Sequence, residues 1–218
     1  MQENQPVGIV QLAHDFNDLK LTYAFLFVFA CVFGFELYLS HSWSTPQMMQ
    51  LVLMGGSNWN LVVRDQQWYR LATAGLLHGG WMHLLFNGYA FYFAGTTLEP
   101  LLGRSWLFLL FWIGVVGGSA AGLALNSPNV ISVGASGGIM GLLAAMFVVA
   151  HRIPAGAERN LIRTNALQVL IPSLIPIGIS IGGAQIDYGA HAGGAVAGAA
   201  SGLLILGLWP RTRLRPFL

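Results

Sequence analysis

The stretch NVISVGASGGIMGLL, from Asn129 to Leu143, sets one serine among small residues at the start of an apolar run. From Ser136 to Ala150 this run gives about 22 Å of helix at ~1.5 Å per residue. The hydrocarbon core of a bilayer is ~30 Å thick, so the helix is short for a membrane span. His151 and Arg152 follow directly and mark one end near the head groups. We therefore predict that Ser136, at the other end, lies below the membrane surface.

The composition supports a protein embedded in the membrane. Of the 218 residues, 55% are hydrophobic and only 8% are charged, and the mean hydropathy is +0.63. Soluble domains carry about a quarter charged residues, so this chain cannot cover a water-facing surface. The net charge of +2 is too small for a nucleic-acid-binding surface. We expect a single membrane domain.

Six apolar stretches are predicted to be transmembrane helices. The fold class is therefore all-α and polytopic: a six-helix bundle with a short, sunken fourth helix and a first loop lying in the membrane interface. The predicted spans are 21–40, 82–101, 105–125, 136–150, 166–183 and 188–209. The predicted domains are a polar cytoplasmic tail (1–20), the six-helix membrane domain (21–209) and a short basic tail (210–218).

The distribution of Lys and Arg predicts the orientation. With both termini inside, eight of the ten basic residues lie on the inner side, and only Arg64 and Arg70 lie outside. No small-residue cleavage site follows the first apolar stretch, so we expect a retained anchor rather than a removed signal peptide. The absence of a targeting presequence and the compact six-span form favour a bacterial inner membrane, and the orientation opens the polar end of the fourth helix to the outer side.

Polar side chains from two other predicted helices fall at the same depth as Ser136. His83 and Asn87 are four residues apart, so they share one face of the second helix. His191 lies near the outer end of the sixth helix. Polar groups inside a membrane are costly and point to function. We therefore predict that these four residues form one site.

Glycines at every fourth position predict that the fourth and sixth helices touch. Gly137 and Gly141 lie on one helix, and Gly194, Gly198 and Gly202 lie on the other. Faces of small residues allow close approach of two helix backbones. This packing would set Ser136 near His191, and a serine nucleophile needs a base within about 3 Å.

The residues around Ser136 also suggest a site that stabilises negative charge. Gly134 allows the backbone to bend so that the Ser136 amide faces a developing oxyanion, and His83 and Asn87 supply further donors.

Four motifs occur in an order that resembles the rhomboid family of intramembrane serine proteases, and the similarity covers all six predicted spans. They are Trp68-Tyr69-Arg70, the H-x-x-x-N of His83 and Asn87, the G-x-S-G of Gly134 to Gly137, and Ala190-His191-Ala192-Gly193-Gly194, continued by Gly198. One departure is Met140, because some members carry a tyrosine there that stacks on the catalytic histidine.

The resemblance implies an endopeptidase with Ser136 as nucleophile and His191 as general base. It implies an oxyanion site of His83, Asn87 and the Ser136 amide, with Gly134 shaping the turn. The implied supporting residues are Trp68, Arg70, Glu99, Gly194 and Gly198, with Glu99 bracing the second helix and the first loop. The implied substrates are single-span membrane proteins, cut at a segment with small residues that unwinds easily. No metal and no cofactor are implied.

Purely structural roles stay open for several of these residues. In the structural alternative, Ser136 is a small residue that allows close helix packing. His83 and Asn87 would then hold the first loop through polar contacts. Asp187 lies four residues before His191 and is a conceivable third member of the catalytic group. Glu36 is expected to snorkel or pair.

The fifth helix and the function of the chain each allow more than one interpretation. Pro172 and Pro176 indicate either a static kink in the fifth helix or a gate for substrate. Competing functions are a proteolytically inactive rhomboid relative that binds membrane clients, and a small transporter.

Overall fold

The computed structural model describes residues 19–175, 180–181 and 184–208. Within these ranges the regular secondary structure is helical, apart from one pair of two-residue strands and an isolated bridge between Ser57 and Ser132. The α-helices are α1 (Lys20–Leu39), α2 (Met48–Leu53), α3 (Arg70–Thr73), α4 (Trp81–Leu102), α5 (Arg104–Leu125), α6 (Ser136–Val149), α7 (Ala157–Leu174) and α8 (Tyr188–Leu208). A π-helical turn covers Asn60–Arg64, and 3₁₀ turns cover Ala74–Leu76 and Ala150–Arg152. The strands β1 (Ser180–Ile181) and β2 (Ala184–Gln185) pair antiparallel.

Three of the described helices are long and apolar enough to cross a membrane. They are α1, α5 and α8, with 20, 22 and 21 residues. The segment Ser136–Arg152 is apolar but shorter, as its sequence predicts. The chain is therefore an integral membrane protein of helical class. The count of six spans remains a prediction, and so do the two tails, which lie largely outside the described residues.

The predicted fifth span, 166–183, is wrong as a continuous helix. α7 covers Ala157–Leu174 instead, and residues 180–181 belong to the hairpin. The backbone leaves the helical region at Ile175 (φ −86°, ψ 121°). Pro176, which lies outside the described residues, follows in the sequence, and the ring of a proline disfavours the helical conformation of the preceding residue. The start was missed because the first turns of α7 are polar and carry no apolar signal.

The helix that begins at Ser136 lies at the centre of the molecule. Eleven of its 14 residues are buried, and α6 packs against α5 and α8 and also contacts α4 and α7. The contact with α8 is backbone on backbone, because a Cβ added at Gly194 would overlap the Gly137 carbonyl, and one at Gly198 would overlap the Gly141 carbonyl. The predicted small-residue faces of the fourth and sixth helices therefore do meet.

We predict that Gly198→Ala destabilises the protein, because its new methyl group would lie on the Gly141 backbone. Overpacking of this kind costs about 1–3 kcal/mol, so the thermal midpoint in detergent should fall by several degrees. Gly207→Ala is the matched control, since it lies on the same helix with nothing within 4 Å of the added Cβ. Equal midpoints for the two variants would contradict the close contact.

Glu99 braces the start of α1. Its carboxylate accepts the N–H groups of Leu21 (2.9 Å) and Thr22 (2.8 Å) and the Thr22 hydroxyl (2.6 Å). The first amides of a helix have no partner within the helix, and a carboxylate there is favoured by the helix dipole. The resemblance implied that Glu99 braces the second helix and the first loop. The described contacts join α4 to α1 and, through Arg104 Nε at 3.3 Å from Glu99 Oε1, to the start of α5, while the bracing of the first loop stays a prediction.

The connection from α1 to α4, residues 40–80, is held by Arg70. This side chain is buried, and its Nη1 donates to the carbonyls of Val52 (2.6 Å) and Gly56 (2.9 Å). Its Nε donates to Gln67 Oε1 at 2.7 Å. Trp68 is exposed, so the described polar contacts that support the connection come from Arg70 rather than from Trp68.

Candidate active site

Three helices begin around one cavity. Ser136 is the first residue of α6, His83 lies in the first turn of α4, and His191 lies in the first turn of α8. These three side chains and Asn87 line a cavity of about 390 Å³. The structure therefore brings together the four polar residues on which the sequence analysis depends. The positive ends of three helix dipoles lie near this cavity and favour negative charge in it.

The histidine of α8 is held in a defined tautomer. His191 is buried, and its Nδ1 lies 2.7 Å from the carbonyl oxygen of Ser173 in the last turn of α7. A carbonyl only accepts, so Nδ1 carries the hydrogen and Nε2 of the neutral ring keeps its lone pair. The second nitrogen is therefore a proton acceptor on a ring that lines the cavity.

Ser136 has its hydroxyl and its amide free for chemistry within the described part of the chain. The hydroxyl makes no hydrogen bond to a described residue, His191 included, and no described backbone carbonyl accepts the Ser136 N–H. The amide is one of the first N–H groups of α6, which have no acceptor inside the helix. Nucleophile–base contacts are often loose before substrate binds, so the shared cavity fits a dyad without requiring a closed hydrogen bond.

Two side-chain donors approach the turn before Ser136. Gly134 has φ +130°, and a Cβ built on it would lie 2.7 Å from His83 Nε2 and 3.6 Å from Asn87 Nδ2. Asn87 is buried, and its Nδ2 has no partner among the described residues. A buried donor without a protein partner is costly, so Asn87 Nδ2 is available to hydrogen-bond a group that enters the cavity. The Gly134 N–H is taken by the Ala74 carbonyl (2.9 Å), so Gly134 contributes room and backbone shape, not a donor.

The carboxylate of Asp187 is occupied by contacts other than His191. It caps α8 through the Ala190 N–H (2.8 Å) and accepts from Asn126 Nδ2 (2.8 Å) and from the Ser132 hydroxyl. No hydrogen bond joins this carboxylate to the His191 ring within the described contacts. The geometry therefore gives Asp187 a structural place: it ties the start of α8 to the segment between α5 and α6.

The irregular segment before Ser136, residues 126–135, forms hydrogen bonds to the α1–α4 connection through its backbone. Ser132 and Ser57 exchange backbone hydrogen bonds of 2.8 and 2.9 Å, and Asn58 Nδ2 donates to the carbonyls of Pro128 (2.6 Å) and Val130 (3.2 Å). Non-helical backbone persists at membrane depth only when it is buried in protein or lines a wet cavity. These bonds position the turn that presents Ser136.

Much of the rest of the cavity wall is apolar and comes from α4, α6 and α7, although Gln168, Ser173 and Asp187 also line it. Phe86 and Ala90 come from α4, Val169 and Pro172 from α7, and Met140 from α6. A volume of this size suits a few side chains of an apolar segment. Met140, the departure from the family pattern seen in the sequence, lines the cavity.

Two groups that orient the histidines were not found from the sequence. They are the Ser173 carbonyl, which accepts from His191 Nδ1, and the Gly79 amide, which donates to His83 Nδ1 at 3.3 Å. Backbone groups carry no side-chain signature, so no motif marks them. Glu36, expected to snorkel or pair, is instead fully buried and accepts the His78 backbone N–H.

Comparison with known proteins decides the family. The family model described as the rhomboid domain matches residues 65–208, which include every polar residue of the cavity. The chain belongs to the rhomboid family. This rhomboid is 30% identical to rhomboid protease GluP of Bacillus subtilis (strain 168) over 183 residues, which is 84% of the chain and 34% of GluP.

Plant relatives are similarly distant. The chain is 31% identical to RHOMBOID-like protein 4 of Arabidopsis thaliana (74% of the chain, 40% of the relative). It is 32% identical to the mitochondrial RHOMBOID-like protein 6 of the same plant (80% and 55%). The chain thus spans about a third to a half of the length of these relatives.

Proposed function

We propose that this rhomboid is an intramembrane serine endopeptidase that cuts single-span membrane proteins in or near their transmembrane segment. One observation supports the proposal above the others. The Ser173 carbonyl leaves His191 with a free Nε2 lone pair in the cavity that also contains Ser136. A base and a nucleophile from two tightly packed helices are the minimum that acyl transfer requires.

In the proposed first step, the Ser136 oxygen attacks the scissile carbonyl carbon while its proton passes to His191 Nε2. The carbonyl π electrons move to oxygen, and this oxyanion is stabilised by the Ser136 N–H, His83 Nε2–H and Asn87 Nδ2–H. His191 then gives its proton to the departing amine, and the C–N bond breaks. Water, deprotonated by His191, hydrolyses the acyl-enzyme and restores the serine hydroxyl.

The proposed substrate is a helix that loses its hydrogen bonds before it is cut. A peptide bond within a helix has its carbonyl paired, so it must unwind to reach Ser136. Residues with poor helix propensity lower this cost by up to about 1 kcal/mol each. The apolar wall between α4 and α7 suits entry of such a segment from the lipid. We propose a bacterial inner membrane, with both termini inside and the cavity facing outward.

Two competing functions give different outcomes in one experiment. The full chain is reconstituted in liposomes with a single-span substrate whose membrane segment contains glycines, and with a matched segment in which two of these glycines are replaced by leucine. Two fragments should appear by mass spectrometry, and the leucine segment should be cut about tenfold more slowly. Client binding without fragments would overturn the proposal in favour of an inactive relative, and solute flux without fragments would favour a transporter.

A further inference from the structure

Glu36 is a fully buried carboxyl group in a membrane helix that takes no part in the chemistry proposed above. It lies near the end of α1 next to the α1–α4 connection, with 0% of its surface exposed. The described hydrogen bonds of its carboxyl group come from one donor, the backbone N–H of His78. The His78 nitrogen lies 3.1 Å from Oε1 and 3.3 Å from Oε2. An ionisable group buried at this depth is costly and is retained where it serves a purpose.

The hydrogen bond from His78 holds the turn that leads into α4. The His78 ring is buried in the same turn and packs edge-on against Phe29 and against His83, with ring centroids 5.4 Å apart in both pairs. Neither ring nitrogen of His78 has a described hydrogen bond. Glu36 therefore accepts a hydrogen bond from the backbone of this turn, and the His78 ring packs between the rings of Phe29 and His83.

The next residue of the turn orients the His83 ring. The Gly79 N–H donates to His83 Nδ1 at 3.3 Å. Because Nδ1 accepts, the hydrogen of the neutral ring lies on Nε2. That nitrogen is the one beside Gly134, in the turn that presents Ser136.

We propose that Glu36 is a positioning residue for His83. By holding the His78 N–H, it keeps the Gly79 N–H on His83 Nδ1, and so it selects the tautomer that donates through Nε2 to the oxyanion. This inference rests on the proposed peptidase function for its catalytic consequence, but the tautomer itself is a property of the resting protein. Without the carboxyl group the turn would shift, and Nδ1–H and Nε2–H forms of His83 would both be populated.

The test combines nitrogen NMR and kinetics. The full chain is labelled with ¹⁵N-histidine in micelles, and the His83 signals are assigned by their loss in His83→Gln. The unsubstituted protein should show His83 with Nδ1 bare and Nε2 protonated. Glu36→Leu should give a mixture of tautomers, with kcat for substrate cleavage about tenfold lower and KM unchanged, a partial loss of one oxyanion donor. Glu36→Gln keeps an acceptor and should keep the tautomer and the activity.

The controls separate positioning from simple anchoring. Glu158→Leu is the matched change at an exposed glutamate in the first turn of α7 and should leave both readouts unchanged. A Glu36→Leu protein that is less stable but retains a pure Nε2–H tautomer would overturn the proposal, as would an Nδ1–H tautomer in the unsubstituted protein. The latter measurement does not need Glu36→Leu, so it decides even where that variant does not fold. Absence of cleavage would instead contradict the peptidase function and leave the tautomer result standing.

Discussion

Replacing Ser136 with alanine is expected to abolish cleavage of a transmembrane substrate. The hydroxyl is the proposed nucleophile, and loss of the nucleophile from a serine hydrolase lowers kcat on the order of 10⁴-fold or more. The change deletes one oxygen from a half-buried residue that makes no described side-chain hydrogen bond. Thermal stability in detergent should therefore stay near that of the unsubstituted protein. The measurement is the rate of fragment formation in liposomes, normalised to inserted protein.

Ser201→Ala provides the matched control for this loss. Ser201 lies on α8, where its hydroxyl donates to the Ala197 carbonyl at 2.8 Å within the same helix. This residue does not line the cavity, so its variant should cleave at the normal rate. If Ser136→Ala cleaved as fast as Ser201→Ala, Ser136 would be a packing residue and the peptidase mechanism would fail.

The second large effect is expected for His191→Gln. Glutamine is polar and of similar length but has no basic nitrogen, so the Ser136 proton would have no acceptor. General-base catalysis contributes about 10²–10⁴-fold, and kcat should fall by that factor. KM should change little, because the apolar wall between α4 and α7 remains. Initial rates over a range of substrate densities in the liposome separate the two parameters.

A histidine elsewhere gives the comparison. His151 is exposed beyond α6, and its Nδ1 also lies near a carbonyl, that of Val148 at 3.1 Å. His151→Gln makes the same chemical change away from the cavity and should leave kcat and KM unchanged. Equal activity of the two variants would show that His191 is not the base.

The sequence predicted those parts of the molecule that depend on side-chain pattern. The short helix starting at Ser136 followed from the apolar run and from the basic residues at its end, and the structure has it at Ser136–Val149. The contact of α6 with α8 followed from glycines at every fourth position, because only small residues permit backbone contact. Both features are local in sequence, so a single chain suffices to find them.

The features that the sequence misplaced or did not predict depend on the backbone and on contacts between residues far apart in the chain. The end of α7 was misplaced because apolar residues continue past Ile175, while the proline that follows it stops the helix. The contact of Glu99 with α1 joins residues 77 and 78 positions apart, a distance at which no spacing rule operates. The acceptor of His191 Nδ1 is a main-chain carbonyl, and every residue has one, so only the fold reveals it.

Covalent trapping of the nucleophile gives the decisive measurement. The purified chain is reacted with a fluorophosphonate, which phosphonylates an activated serine with loss of fluoride, and the adduct is located by tandem mass spectrometry. The structure predicts one adduct, on the Ser136 oxygen, that forms about 100-fold more slowly in His191→Gln because the hydroxyl loses its base. An adduct on another residue, or one on Ser136 that forms equally fast without the imidazole, would contradict the proposed Ser136–His191 pair.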